Sequence, residues 1–147
     1  MLRSLPASPS ASRKVRVLCV DDNRDLVAAL ERCIQREPDM QYVGALHTAD
    51  DLVTQVKERR PDVILLDLSM PGNDPIAVLR ELVAPEGQPD LRVIVFSGRD
   101  DPEVVDLAAA AGASGFLSKD ANVDLILRAI RETCAGKRAD LPFGLWH

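Results

Sequence analysis

The sequence predicts an α/β domain, a five-stranded parallel sheet doubly wound by helices on both faces. Three observations predict it. Short apolar runs alternate with helix-periodic segments from residue 15 to about 135. Successive runs are separated by about 20 residues or more, which suits crossover helices and not hairpins. The runs also end on chemically active residues. Val15–Val20 runs into Asp21-Asp22, Val63–Leu66 into Asp67, Arg92–Phe96 into Ser97-Gly98, and Gly115–Leu117 into Ser118-Lys119. In an open parallel sheet such ends share one edge, where ligands bind.

Each element has its own local reason. Val15–Val20 reads as a buried strand, and Leu26, Leu30, Cys33 and Ile34 follow at helical spacing. Residues 41–46 form a shorter strand. Asp50 or Asp51 opens a helix with Leu52, Val53 and Val56 inward, stopped by Pro61. Residues 63–66 are the most apolar strand and belong at the centre. After Pro71-Gly72, Pro75 sits in the first turn of a helix carrying Ile76, Leu79 and Leu82. A Pro/Gly loop spans 84–90, and the fourth strand spans 93–96. Pro102 and Glu103 mark a helix start, and Gly112 its stop. The fifth strand spans 115–117. A last helix follows Asp120, with Val123, Ile126, Leu127 and Ile130 on its apolar side. Residues 1–14 are expected to be a disordered extension, 15–135 one domain, and 136–147 a tail or linker stub.

Composition narrows the function. With 147 residues and 46% apolar content, the chain suits one domain with a core. A net charge of −5 disfavours nonspecific nucleic-acid binding. One Trp, one Tyr and three Phe do not make a base-stacking surface. Cys19, Cys33 and Cys134 are odd in number and widely spaced, so they read as reduced apolar residues of a cytoplasmic protein. No apolar run reaches the ~18 residues of a membrane span.

Asp21-Asp22, Asp67 with Met70-Pro71-Gly72, Ser97-Gly98 and Lys119 occur in order, each at a strand end. Over residues 15–135 this set resembles the response-regulator receiver domain of two-component signalling. Lys119-Asp120-Ala121 is similar to the NarL/FixJ-type subfamily, usually fused to a helix-turn-helix. The resemblance implies a flavodoxin-like (βα)5 fold with strand order 2-1-3-4-5. It implies that Asp67 is the phosphoacceptor, and that Asp22 and Asp67 bind Mg²⁺ directly. Asp21 would act through water, and the Ser69 backbone carbonyl would complete the protein ligands. Lys119 and Ser97 would contact the phosphoryl group, and Phe116 would be the aromatic switch partner of Ser97.

The chemistry of these residue types agrees. A carboxylate can attack a phosphoryl group and form an acyl phosphate. Attack on an anionic phosphoryl group needs neutralisation, which Mg²⁺ supplies among oxygen ligands. Lys119 offers a mobile ammonium. Where many receivers have Pro after this lysine, Asp120 stands, so a trans bond is expected. Phe116 lacks the hydroxyl of the commoner tyrosine. His47, ending the second strand, reads as a solvated residue near the active edge.

The expected function is a phosphorylation-dependent switch, not an enzyme with its own turnover. A sensor histidine kinase or phosphotransfer protein would supply the phosphoryl group, and a downstream protein would read it. No membrane and no direct nucleic-acid contact are expected, and a phosphorylation-dependent homodimer is allowed. One alternative is a pseudo-receiver that binds protein without phosphorylation. Another, which the Lys119-Asp120-Ala121 resemblance allows, is the receiver part of a DNA-binding regulator, with Leu141, Phe143, Leu145 and Trp146 in a linker stub. Otherwise these residues pack back on the domain or contact a partner. A haloacid-dehalogenase-type phosphatase wants a second Asp where Ser69 stands. A flavodoxin-type flavin site wants a hydroxyl- or Gly-rich loop where Asp21-Asp22-Asn23 stands.

Overall fold

The computed structural model of the chain describes residues 13–70, 74–83, 90–98 and 102–135. The expectations for residues 1–12, Pro71-Gly72, the 84–89 loop and the 136–147 tail lie outside the described residues. Strands and helices alternate as β1 (Val15–Val20), α1 (Arg24–Gln35), β2 (Met40–Leu46), α2 (Leu52–Arg59), β3 (Val63–Leu66), α3 (Pro75–Val83), β4 (Arg92–Ser97), α4 (Pro102–Ala110), β5 (Gly115–Ser118) and α5 (Val123–Cys134). All strand pairs are parallel, in the order β2-β1-β3-β4-β5. The apolar β3 is central, as its composition requires.

The period-two alternation of the strands divides the core into two layers. Leu18, Val20, Ile64, Leu66, Val93, Val95 and Phe116 face α2, α3 and α4, meeting Leu52, Val56, Leu79, Leu82, Val105 and Ala108. Val17, Cys19, Val63, Leu65, Ile94, Phe96 and Leu117 face α1 and α5, meeting Leu30, Ile34, Ile126 and Ile130. Each buried Leu or Ile contributes about 1.5–3 kcal/mol by leaving water. Residues after a strand therefore emerge at the edge of a rigid, dry slab.

Helix ends follow local chemistry. Asn23 caps α1, its side chain accepting from the Leu26 N–H at 3.1 Å. The last helix, Val123–Cys134, follows Asp120 as expected. Asn122 caps it, accepting from the Leu125 N–H at 2.8 Å, while the Asp120 N–H donates to the Ser118 Oγ. Asn reaches the orphan N–H groups of the first turn as well as Asp does, and Asp120 is spent in the turn before it. Asp51 holds the cap position of α2 without a side-chain cap bond. The peptide bonds of the described residues, Lys119–Asp120 included, are trans.

Two glycines are required by geometry. Gly112 follows α4 at φ +108°, with Gly112 N–H donating to Ala109 O and Ala113 N–H to Ala108 O. This pairing closes a helix through a residue at positive φ. A Cβ at Gly112 would also lie 2.5 Å from Val83 Cγ2. Gly112→Ala is therefore expected to destabilise the domain by about 1–2 kcal/mol from backbone strain alone. Thermal unfolding checks this, and an unchanged midpoint would remove the constraint. Gly44, in β2, has φ +139°, and a Cβ there would lie 2.0 Å from Arg59 Nη1. The β1–β2 register slips beside it, between Val17 and Leu18, leaving Val43 out of the pairing. Arg59 fills the gap, donating to Val43 O at 2.7 Å and to Gln55 Oε1 at 2.7 Å. By contrast, a Cβ on Gly98 meets no atom of the described residues within 4 Å. No steric need for glycine appears there.

Candidate functional site

The sheet ladder extends one residue past β1, β3 and β5 at the carboxyl edge. Asp21 N–H donates to Leu46 O at 2.9 Å, Asp67 N–H to Val20 O at 2.9 Å, and Lys119 N–H to Ser97 O at 2.8 Å. The side chains of Asp21, Asp67 and Lys119 thus leave from fixed backbone. Val20 pairs with Leu66, so Asp21 and Asp67 emerge side by side. This is where the strand order reverses between β1 and β3, the position expected for a ligand.

Asp67 is 1% exposed, Asp21 3%, and Asp22 is open to solvent. One oxygen from each lies within 4.8 Å of the others. Lys119 reaches across β4, its Nζ 2.7 Å from Asp21 Oδ2 and 3.3 Å from Asp67 Oδ2. Burial pushes the ammonium's pKa down, but bonding to Asp21 and the charge of Asp67 outweigh it. Lys119 therefore titrates above its ordinary 10.5. A raised lysine pKa stabilises the fold below the ordinary value and loses that contribution as pH rises through the raised one. The ammonium stays charged across neutral pH.

The structure brings together Asp21, Asp22, Asp67 and Lys119. Ser97, buried, ends β4 one strand from Asp67, and its carbonyl holds the Lys119 backbone. Phe116 is 0% exposed, inside the core layer facing α2–α4. Ser69 bonds to Asp67 through its other groups as well. Its N–H donates to Asp67 Oδ1 at 2.9 Å and its Oγ–H donates at 2.7 Å. Asn23, besides capping α1, donates its N–H to Asp21 Oδ1 at 2.9 Å.

His47 corrects an expectation. It is half-buried, and its Nδ1 lies 3.0 Å from Asp21 O, so it is not simply a solvated strand-end residue. No residue type in the sequence signals this contact, which depends on how β2 sits along β1.

Three carboxylates face one ammonium, an excess of negative charge that a cation would balance. The donors are all oxygen, which suits a hard dication such as Mg²⁺. The residues present therefore fit the metal. A cavity of about 300 Å³ at the opposite end of the strands is lined by Arg13, Asp62, Arg92 and Cys134 and contains none of these residues. Cys19 is buried, which pushes its thiol up to about 12, so it stays a protonated, inert core residue. No helix among the described residues is long and apolar enough to cross a membrane.

Comparison with known proteins places this geometry. Residues 17–131 match the family model described as the response regulator receiver domain. The chain is 31% identical over 128 residues to the response regulator GacA of Pseudomonas aeruginosa, covering 87% of this chain and 59% of that protein. It is 29% identical over 123 residues to the transcriptional regulatory protein DegU of Brevibacillus brevis, covering 84% of this chain and 51% of that protein. The chain thus spans roughly half to three-fifths of the length of these relatives. Among solved structures, the signal receiver domain of the response regulator NarL from Mycobacterium tuberculosis superposes with a TM-score of 0.78 at 31% identity. That match covers 84% of this chain and 98% of the other. The fold, the acidic edge and these matches together make the chain a member of the response regulator receiver domain family of two-component systems.

Proposed function

We propose that the chain is a phosphorylation-dependent switch in which Asp67 accepts a phosphoryl group, with no catalytic turnover of its own. One observation carries the reading. Asp67 is a nearly inaccessible carboxylate held against Asp21, Asp22 and Lys119 at the strand-order reversal. Receiver domains take their phosphoryl group from sensor histidine kinases or phosphotransfer proteins. In the step, an Asp67 oxygen forms a bond to phosphorus while the donor's N–P bond breaks. The electron pair leaves on the donor imidazole, which takes up a proton.

Asp22 and Asp67 would hold Mg²⁺ directly, Asp21 through water, and Ser69 through its carbonyl. When bound, the metal neutralises charge on the phosphoryl oxygens. The work of the chain itself is positional. Ser69 orients Asp67 through Oδ1, and Lys119 is placed to exchange its carboxylate contacts for a phosphoryl oxygen. That exchange alters charge beside Ser97, at the end of β4. A ligand shifts a conformational equilibrium only by contacting one state better. Ser97 makes that contact, and Phe116, packed in the layer below, follows it. The readout is a changed contact with a downstream protein, or with a second copy of the chain.

Acetyl phosphate, added with and without Mg²⁺ and followed by intact mass, tests the reading. One phosphoryl group should appear only with Mg²⁺. Absence of any adduct would favour the pseudo-receiver alternative. Ser97→Ala should still accept phosphate but transmit less change to α4, β5 and α5, measured as amide exchange. An undiminished response would break the proposed coupling.

A second reading is favoured by the name of DegU, a transcriptional regulatory protein that the chain covers by half. Here the domain would control a DNA-binding partner domain. The chain alone, with its acidic balance, should not retain duplex DNA in a gel shift at physiological salt. Sequence-specific retention would overturn this.

A further inference from the structure

We infer that His47 is a positioning residue for the cation site, clamping the acidic turn through the Asp21 carbonyl. The inference rests on the reading of Asp21, Asp22 and Asp67 as a Mg²⁺ site, and assigns a residue outside that set. A carbonyl oxygen can only accept a hydrogen bond, so the 3.0 Å contact requires the hydrogen to be on His47 Nδ1. The neighbouring bond is also taken, since Asp21 N–H donates to Leu46 O at 2.9 Å. Leu46 and His47 are consecutive. The end of β2 therefore grips both the amide and the carbonyl of Asp21.

This grip acts where the backbone must resist a load. One oxygen each of Asp21, Asp22 and Asp67 lies within 4.8 Å of the others, and among the described residues Lys119 is the one cation paired with them. Without a cation, the turn at Asp21-Asp22 gains by swinging outward, because Asp22 is already exposed. The Asp21 side chain is tied by Asn23 N–H, on the same turn, and by Lys119 at the end of β5. The bond from His47 acts instead on the backbone. It fixes the peptide plane joining Asp21 to Asp22, and so the direction in which Asp22 leaves. Pre-organisation of this kind is recovered as affinity when the cation binds.

Mg²⁺ titration by calorimetry on the whole chain, without any phosphodonor, provides the test. His47→Ala should weaken Mg²⁺ binding by about fivefold, the worth of one hydrogen bond that ordinarily contributes about 1 kcal/mol. His47→Asn places an amide N–H near the position of Nδ1 and should restore most of the affinity. Long-range ¹H–¹⁵N spectra at pH 8 should show the hydrogen on Nδ1. If wild type and His47→Ala bind Mg²⁺ equally, or if Nδ1 lacks the hydrogen, the clamp is overturned while the cation site stands. If wild type binds no Mg²⁺ while remaining folded, the cation site falls and the clamp with it. Asp22→Ala serves as the variant that loses binding. Thermal melting of both His47 variants shows whether a weakened affinity reflects the clamp or a damaged fold. A drop in affinity that Asn does not rescue, with the fold intact, also refutes the proposal.

Discussion

Asp67→Asn leaves no phosphoryl adduct after treatment with acetyl phosphate and Mg²⁺, while Lys119→Ala still accepts phosphate but at least about a hundredfold more slowly. The first outcome follows from accessibility and chemistry. An amide oxygen is too weak a nucleophile for phosphorus. Asp21, though also buried, holds the shorter Lys119 contact, 2.7 Å against 3.3 Å for Asp67, so it is the more closely neutralised carboxylate. The second follows from the site's charge balance. Lys119 supplies the only ammonium among the described side chains within ion-pair distance of Asp67. Removing one preorganised charge from a water-poor site costs a factor of about 10²–10³ in rate. Intact mass with peptide mapping checks the acceptor, and an initial-rate comparison checks the lysine. Equal labelling of Asp67→Asn would move the acceptor elsewhere, and an unslowed Lys119→Ala would make the lysine a structural ion pair only.

Much of this edge was legible in the chain because period and position carry it. Strands of four to seven residues followed by Asp, Ser or Lys can put those side chains in only one place, the carboxyl ends of a parallel sheet. The strand order itself came from resemblance and not from pattern. What escaped depends on register between segments distant in sequence. Nothing in the residues 41–47 announces that Val43 falls out of the ladder or that His47 meets the Asp21 carbonyl. Both follow from how β2 slides along β1. The cap of α5 is not legible in the sequence, because Asp120 and Asn122 are both good caps and only the fold gives the Leu125 N–H to Asn122. The Ser69 hydroxyl bond to Asp67 depends on a side-chain rotamer that the sequence does not encode by pattern.

Phe116→Ala is expected to destabilise the domain by about 3–5 kcal/mol, the range for emptying an aromatic site in a packed core. Phe116 is fully buried beside Val95, its Cα partner on β4, in the layer that α2, α3 and α4 cover. The residues around it come from a sheet fixed on both faces, so they cannot collapse far into the space. For a domain of this size the loss corresponds to about 10 °C or more in the thermal midpoint. Phe116→Leu, which keeps most of the volume, should cost under about 1.5 kcal/mol. Circular dichroism melts of the two variants check the ordering. A midpoint within a few degrees of wild type for Phe116→Ala would mean that the ring is not a packing element in the resting state. Below its melting point the Ala variant should still be labelled at Asp67, because Phe116 belongs to the core layer beneath α2, α3 and α4.

The irregularity in β2 bears on how the molecule meets its neighbours. An outermost strand normally offers a row of unmet peptide groups, to which a foreign strand can add, in regulated binding or in aggregation. In β2 that row is interrupted. Val43 is pushed out of step, its carbonyl is occupied by the Arg59 guanidinium, and Gly44 turns the chain with a φ that a continuous ladder does not accommodate. A strand arriving from another molecule would find its template broken in the middle and blocked by a cation. The β2 flank of the sheet is thereby a poor template for polymerisation, which leaves β5 as the outermost strand with an unbroken run.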